Sequence, residues 1–272
     1  MGVDDNFMEL GAHSLLIAPF INQVHKELNI KLSVRDVFNN QTIKDLVFLI
    51  DSKDDIVFET IQPIQEQEYY DLSHGQGRFW ILHQLGENTQ GLNNMPFGMK
   101  FKGNLKIEKF QEAYEIVMNR HEILRTTFVL VNGEPKQKIN QFTSHFNNFI
   151  FSDLRNDSNR YQSIKDIALD GVKQVFDIEN GPLLRVRLIQ VENDEFVLLL
   201  TMHHIISDKW SFEVLSFEIL KLYNALVSGQ EAPLKQLRIQ YKDYAAWQNN
   251  KLSSNEYNQH KDYWKNQFKD GV

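Results

Sequence analysis

Two adjacent histidines, His203 and His204, with Asp208 four residues further on, are the groups in this chain best suited to proton chemistry. Imidazole exchanges its proton near neutrality, so a histidine facing a cleft can orient or deprotonate an amine. The pair closes an apolar run and precedes a helical one, a junction at which α/β sheets present side chains to a crevice. Neighbouring strand residues point to opposite faces; if the strand persists through both histidines, one looks into the crevice and the other packs. A satisfied core pair is the plainer alternative. Zinc is disfavoured, because adjacent residues of an extended strand cannot converge on one ion and no third ligand is evident. Asp208 reads either as the cap of the helix that begins near Trp210 or as half of a buried ion pair. Arg125, at the start of the Leu124–Val131 run, is a candidate partner, since its planar fork suits a carboxylate.

The second reactive stretch is Asp5-Asn6-Phe7-Met8-Glu9-Leu10-Gly11-Ala12-His13-Ser14-Leu15-Leu16. A serine at a helix start is first a cap. A glycine ahead of it permits a tight bend, and the positive end of a helix would favour a phosphodiester on the hydroxyl. Ser14 is thus a permissible attachment site. No phosphate loop, metalloprotease motif or Gly-x-Ser-x-Gly elbow occurs.

These groups need a scaffold. Hydroxyl residues open three short helical signals: Ser14 ahead of Leu15–Leu28, Ser33 ahead of Val34–Phe38, and Thr42 ahead of Ile43–Ile50. Ile17, Phe20, Ile21, Val24 and Leu28 recur at helical spacing, which predicts a small helical unit over residues 1–51. At about 50 residues it is marginal alone and calls for another helix over its apolar faces. A polar stretch, 52–67, reads as a linker. From 68 to 272 helical periods at His74–Leu85, Ile107–His121, Arg160–Phe176 and Ser211–Val227 alternate with β-type runs. The strands expected are Phe97–Lys102, Leu124–Val131, Phe149–Phe151, Leu183–Val191 and Phe196–His203. The last two are joined by the hairpin-like Glu192-Asn193-Asp194-Glu195. The fold class is α/β (α+β).

Composition narrows the partners. The 272 residues are 42% apolar and 12% aromatic, enough for a sizeable core. A net charge of -7 leaves no basic excess for nucleic acid. With no cysteine there is neither disulfide nor thiolate chemistry, which fits a reducing compartment. The longest pure apolar runs, such as Phe196 to Leu200, are far short of the ~20 residues of a bilayer span, and no signal-peptide pattern opens the chain. We expect a cytoplasmic protein with no membrane partner.

Asp5 to Leu15 resembles the thiolation motif D-x-F-F-x-L-G-G-H-S-L of peptidyl carrier proteins of nonribosomal peptide synthetases, with Met8 and Ala12 as departures. The resemblance implies that Ser14 carries 4'-phosphopantetheine, and that the first carrier helix is missing. Four further segments resemble the condensation domain of the same synthetases, in family order. Leu72 to Trp80 is similar to S-x-A-Q-x-R-L-W and Arg120 to Phe128 to R-H-E-x-L-R-T-x-F. His203 to Ser211 is similar to H-H-x-x-x-D-G-x-S and Tyr241 to Trp247 to Y-x-D-Y-A-x-W. The implied fold is that of chloramphenicol acetyltransferase, two lobes with a tunnel between them, of which 68–272 covers the N-terminal lobe.

The implied reaction is attack by an acceptor aminoacyl amine on a donor thioester carbonyl. His204 is the implied active-site histidine beside His203, with Asp208 and Arg125 as a structural ion pair. Implied partners are donor and acceptor carrier domains, a phosphopantetheinyl transferase and a downstream adenylation domain. Lys209 stands where the motif has glycine, which opens a second reading: a catalytically silent docking platform for carrier proteins or partner enzymes. With one lobe only, this piece alone is expected to make few or no peptide bonds. An epimerisation domain fits less well, because the serine follows His13 rather than an aspartate.

Overall fold

The computed structural model describes residues 2–12, 14–52, 60–85, 91–231 and 233–269, without the side chains of residues 14, 15, 256 and 259. His13, residues 53–59 of the polar stretch, and the last three residues of the chain lie outside that description. Two compact units divide the chain, 1–60 and 61–272.

The first unit is built from three helices, α1 (Ser14–Leu28), α2 (Val34–Asn39) and α3 (Ile43–Asp51). Ser33 and Thr42 cap α2 and α3 as their chemistry predicts, each accepting an amide hydrogen bond three residues on, from Asp36 and Asp45 at 3.1 Å. In α2 the Asp36 carboxylate returns the bond to the Ser33 amide, which completes a capping box. Ile17, Ile30, Leu32, Val37 and Leu46 form the core, and Phe7 and Met8 pack on it from the segment ahead of α1. Asn6 shapes that segment by accepting from the Met8 amide at 2.9 Å. Phe7 is pinned by its own amide on the Gln41 carbonyl at 3.0 Å.

The second unit holds two sheets. A four-stranded sheet runs β2 (Asn94–Lys102), β7 (Glu195–His203), β6 (Leu184–Glu192), β5 (Phe149–Asp153), antiparallel except for the β5–β6 pair. A smaller antiparallel sheet runs β1 (Tyr70–Asp71), β4 (Glu134–Ile139), β3 (Thr126–Val131). The strand period of two divides the large sheet cleanly. Phe97, Met99 and Phe101 of β2, Val186 and Leu188 of β6, and Phe196, Leu198, Leu200 and Met202 of β7 share one face. That face joins one core with Phe110, Tyr114, Val117 and Met118 of α5 (Ile107–Arg120) and with Phe212, Leu215, Ile219 and Leu222 of α7 (Lys209–Ser228). Each such side chain contributes about 1.5–3 kcal/mol by leaving water. Against the opposite face lies α6 (Arg160–Lys173), none of whose residues is fully buried.

The elements differ from the sequence-based expectation at several places, and three of these have a visible physical reason. The strand read from Leu124 starts at Thr126, because Glu122–Arg125 wind into a 3-10 turn closed by the Thr126 hydroxyl on the Glu122 carbonyl at 2.8 Å. Helix α6 stops at Lys173 rather than Phe176. The Arg185 guanidinium takes the carbonyls of Gly171, Gln174 and Val175, and the Asn94 amide takes those of Val172 and Gln174, which fixes the last turn. Strand β4 has no alternating apolar pattern. It is placed by Asn132 and Gly133, whose positive φ values of 52° and 82° make a tight hairpin turn.

Helices α4 (His74–Gln84), α8 (Tyr241–Leu252) and α9 (Asn258–Gln267) complete the unit. Ser73 caps α4 reciprocally with Gln76, and the Ser73 hydroxyl lies 2.9 Å from that of Tyr241, the first residue of α8. The buried Asp243 carboxylate accepts from the amides of Gln240 and Ile64 at 2.6 and 2.9 Å. Among the described residues, no helix is long and apolar enough to cross a membrane.

Candidate active site

Strand β7 ends at His203, and the chain turns through His204–Asp208 into α7. The strand does not persist through both histidines, so the turn that follows it, rather than strand parity, sets His204 apart from His203. His203 pairs with Asn94 across the sheet and is fully buried, with Phe176 and His83 edge-on to its ring. Its Nδ1 accepts the Ile205 amide at 3.0 Å, and burial pushes its pKa down to about 4. It is therefore a neutral, packed residue with no route to a substrate.

His204 is the half-exposed one. Its amide donates to the Asn93 carbonyl at 2.8 Å, which anchors the backbone beside β2. Its Nδ1 lies 2.8 Å from the Ser207 carbonyl. A carbonyl oxygen only accepts, so Nδ1 carries the proton and Nε2 keeps a free lone pair. Phe79 of α4 stacks on the imidazole with centroids 4.5 Å apart and planes 19° apart. The ring lines a cleft of about 260 Å³ together with Phe79, Ile123, Asp208 and Tyr241. Burial first, then the charges of Tyr244 and Asp208, push the Tyr241 hydroxyl pKa up, so it stays a protonated donor at neutral pH.

The Arg125–Asp208 ion pair expected from the sequence is not formed. Asp208 caps α7 instead: its Oδ1 accepts from the Ser211 amide at 2.8 Å and the Ser211 hydroxyl at 2.7 Å. Its own amide donates to the Ser211 hydroxyl at 3.0 Å. Arg125 donates through Nη1 to the Asn140 carbonyl, and the Asn140 backbone amide returns a bond to the Arg125 carbonyl at 3.0 Å. Burial lowers the pKa of the Arg125 guanidinium, and Glu122 supplies the nearest opposing charge. Each is engaged locally, the aspartate at the exposed start of α7 and the arginine in the 3-10 turn that leads into β3, where its Nε stays buried without a hydrogen-bond partner. Lys209 is the exposed first residue of α7 and does not line the cleft.

The charge contacts that hold the site together come from elsewhere. Glu218 of α7 receives Arg120 through Nε at 3.1 and 3.2 Å and His121 through Nε2 at 2.6 Å. Glu122 pairs with Lys242 of α8 at 2.9 Å. The Arg120-His121-Glu122 triplet thus ties α5 to the two helices that flank the cleft. Phe79 and Tyr241 sit inside segments quoted above for their resemblance, and that position was the signal available for them.

In the first unit Ser14 opens a 15-residue helix with no acidic residue in its first turn. Gly11 adopts a positive φ of 104° with open space around it, whereas Ala12 has no such requirement. The positive end of a helix suits a phosphodiester on that serine.

The large sheet carries a histidine at a strand-to-helix turn beneath covering helices, and comparison with known proteins gives the family. Residues 66–271 match the condensation domain family and residues 1–50 the phosphopantetheine attachment site, and the chain belongs to the condensation domain family. It is 39% identical over 269 residues to bacitracin synthase 3 of Bacillus licheniformis, covering 98% of this chain and 4% of that protein. To gramicidin S synthase 2 of Aneurinibacillus migulanus it is 38% identical over 272 residues, 100% of this chain and 6% of that one. The chain thus spans a small part of the relatives it matches. In fold it is similar to the starter condensation domain of rhizomide synthetase (TM-score 0.66, 18% identity, 74% of this chain and 48% of that one). The X-domain from teicoplanin biosynthesis is comparable (TM-score 0.65, 24% identity, 76% and 45%).

Proposed function

We propose that this chain is a carrier-to-condensation segment of a nonribosomal peptide synthetase. Residues 1–51 hold an acyl or peptidyl group through Ser14, 52–67 connect, and 68–272 supply the histidine-bearing lobe that forms an amide with the next carrier-bound amino acid. The observation that carries the reading is the free Nε2 of His204 in a cleft, with Nδ1 held by the Ser207 carbonyl.

The 4'-phosphopantetheine arm, when attached, supplies the acyl group as a thioester. His204 accepts a hydrogen bond from the incoming amine at Nε2 and takes its proton as the new C–N bond forms, the donor thioester's C–S bond breaks, and the proton passes from Nε2 to the departing thiolate. Phe79 keeps the imidazole plane fixed, and the Tyr241 hydroxyl stands as a protonated donor on the same cleft. Asp208 and Arg125 shape the site separately, one by starting α7 and the other by fastening the small sheet. His203 supports the strand end from behind. Holding both reactants in one cleft contributes to the rate alongside proton transfer.

Donor and acceptor carrier domains are the partners in this reading. A phosphopantetheinyl transferase loads Ser14 from coenzyme A in the cytoplasm, and an adenylation domain activates the acceptor. The test has two arms. Transferase and coenzyme A should add one phosphopantetheine to the chain and none to Ser14→Ala. In the intact parent synthetase, His204→Ala should suppress dipeptide formation while leaving carrier loading unchanged. Undiminished dipeptide would refute the catalytic reading. Carrier binding without any amide product from the wild-type parent would favour the docking platform.

A further inference from the structure

Next to the His204 cleft lies a second cavity of about 160 Å³, between the start of α7 and the His121–Leu124 turn. The two share Ile123, Ile206 and Ser211 as lining, so one wall serves both. Met202, Leu124 and Leu215 form its floor and are nearly or fully buried. Trp210, half-exposed, stands at its rim.

Besides the Trp210 indole at the rim, two polar residues line this cavity, and each has a polar atom engaged elsewhere. His121 Nε2 lies 2.6 Å from Glu218, and the Ser211 hydroxyl donates to Asp208 at 2.7 Å. A guest would meet a lining that is mainly hydrocarbon. A mainly apolar recess of about this volume has room for a benzene-sized group. A charged or amide group placed there would lose its hydration without compensation.

Resting on the reading of His204 given above, the geometry points to this cavity as the subsite for the side chain of the aminoacyl group reacting at that histidine, and to an aliphatic side chain as its occupant. The amine nitrogen at Nε2 is one bond from the Cα that bears the side chain, and Ile123, Ile206 and Ser211 are common to the lining of both spaces. Side chains of acceptor and donor share this chemistry, and the experiment separates them.

The first measurement uses this chain and methyl NMR of Ile123, Leu124, Met202 and Ile206. N-acetylcysteamine thioesters of leucine and aspartate, each with a free amine, serve as acceptor probes; their N-acetylated forms serve as donor probes. The leucine probes of one series should shift these methyls saturably, and the aspartate probes should not. Val214→Phe, which fills the cavity, should abolish the response while methyls distant from the cavity keep their positions. Equal response to both side chains, or none at these methyls, would overturn the assignment.

The second measurement is dipeptide formation in the intact parent. Val214→Phe should lower kcat/KM for a leucyl substrate about tenfold more than for an alanyl one, within the range a few buried methylenes command. Leu124→Ala should move preference toward a phenylalanyl substrate. Opposite changes in the two variants separate fit from general damage. Unchanged side-chain preference in both, with dipeptide still formed, would refute the subsite and leave the role of His204 standing. Absence of dipeptide from the wild-type parent would count against that role, and the methyl shifts would then decide the cavity by themselves.

Discussion

The Ser207 carbonyl oxygen receives the Nδ1 proton of His204 at 2.8 Å across a turn of three residues, so the loop that ends β7 selects the tautomer of the imidazole it presents. The Ser207 hydroxyl in turn donates to the His203 carbonyl at 3.1 Å, which closes the loop on itself. Backbone and side chain together leave Nε2 as an acceptor toward the cleft. A base or an amine-orienting group needs that arrangement.

Phe79 fixes the second degree of freedom, the ring plane. Aromatic stacking is worth about 0.5–1.5 kcal/mol beyond area burial, so Phe79→Ala should lower dipeptide formation in the parent roughly three- to tenfold. Phe79→Tyr should retain most of the rate. Steady-state kinetics on loaded carriers checks both, with the loss expected in kcat.

Asp208 and Arg125 should act independently. Asp208→Ala removes the α7 cap and should cost about 1 kcal/mol, whereas Asp208→Asn should cost little, since asparagine caps equally well. Combined with Arg125→Ala, a double-mutant cycle in urea should give a coupling below about 0.5 kcal/mol. Coupling of several kcal/mol would restore the ion pair that the structure lacks.

Stability of the second unit should fall in mild acid through His203. Its folded pKa, about 4, lies below the ordinary histidine value of about 6.5, so between those pH values the unfolded chain binds a proton that the folded one refuses. The contribution is fully present above pH ~6.5 and is lost as pH falls toward ~4, about 3 kcal/mol in all. Burial lowers the His83 pKa as well and adds with the same sign. Urea unfolding at pH 7 and pH 4.5 measures the loss, and His203→Gln should flatten the dependence while lowering stability at pH 7.

Glu218 should matter more than any surface acid. With Arg120 and His121 both converging on its carboxylate and the arginine largely buried, Glu218→Ala leaves a nearly buried cation unpaired. A cost of about 3 kcal/mol is expected, seen as a drop in the urea midpoint.

Local chemistry made much of this site legible in the sequence. The adjacent histidines at the end of an apolar run mark the strand-to-helix junction locally, although β7 stops at His203 and the turn, not alternation, sets His204 apart. Ser33, Thr42 and the Asn193-Asp194 hairpin are equally local. What escapes is set by distant segments. Nothing near Arg125 in sequence announces that Asn140 will take its guanidinium. Nothing near His204 says that a phenylalanine 125 positions earlier will cover its ring. Strand β4, reading Glu-Pro-Lys-Gln-Lys-Ile, gives no β pattern of its own and is held by the Asn132-Gly133 turn and its two neighbours. Glu218 looks like an ordinary polar residue on a helix until α5 is laid against it.

The most direct test of how His204 works is a long-range 1H–15N spectrum of the protein, labelled at histidine, at neutral pH. Nδ1 should resonate as the protonated nitrogen and Nε2 as the unprotonated, acceptor one, with the assignment fixed by His204→Gln. A His204 signal showing the proton on Nε2 would place a donor where the incoming amine needs an acceptor, and would contradict the account.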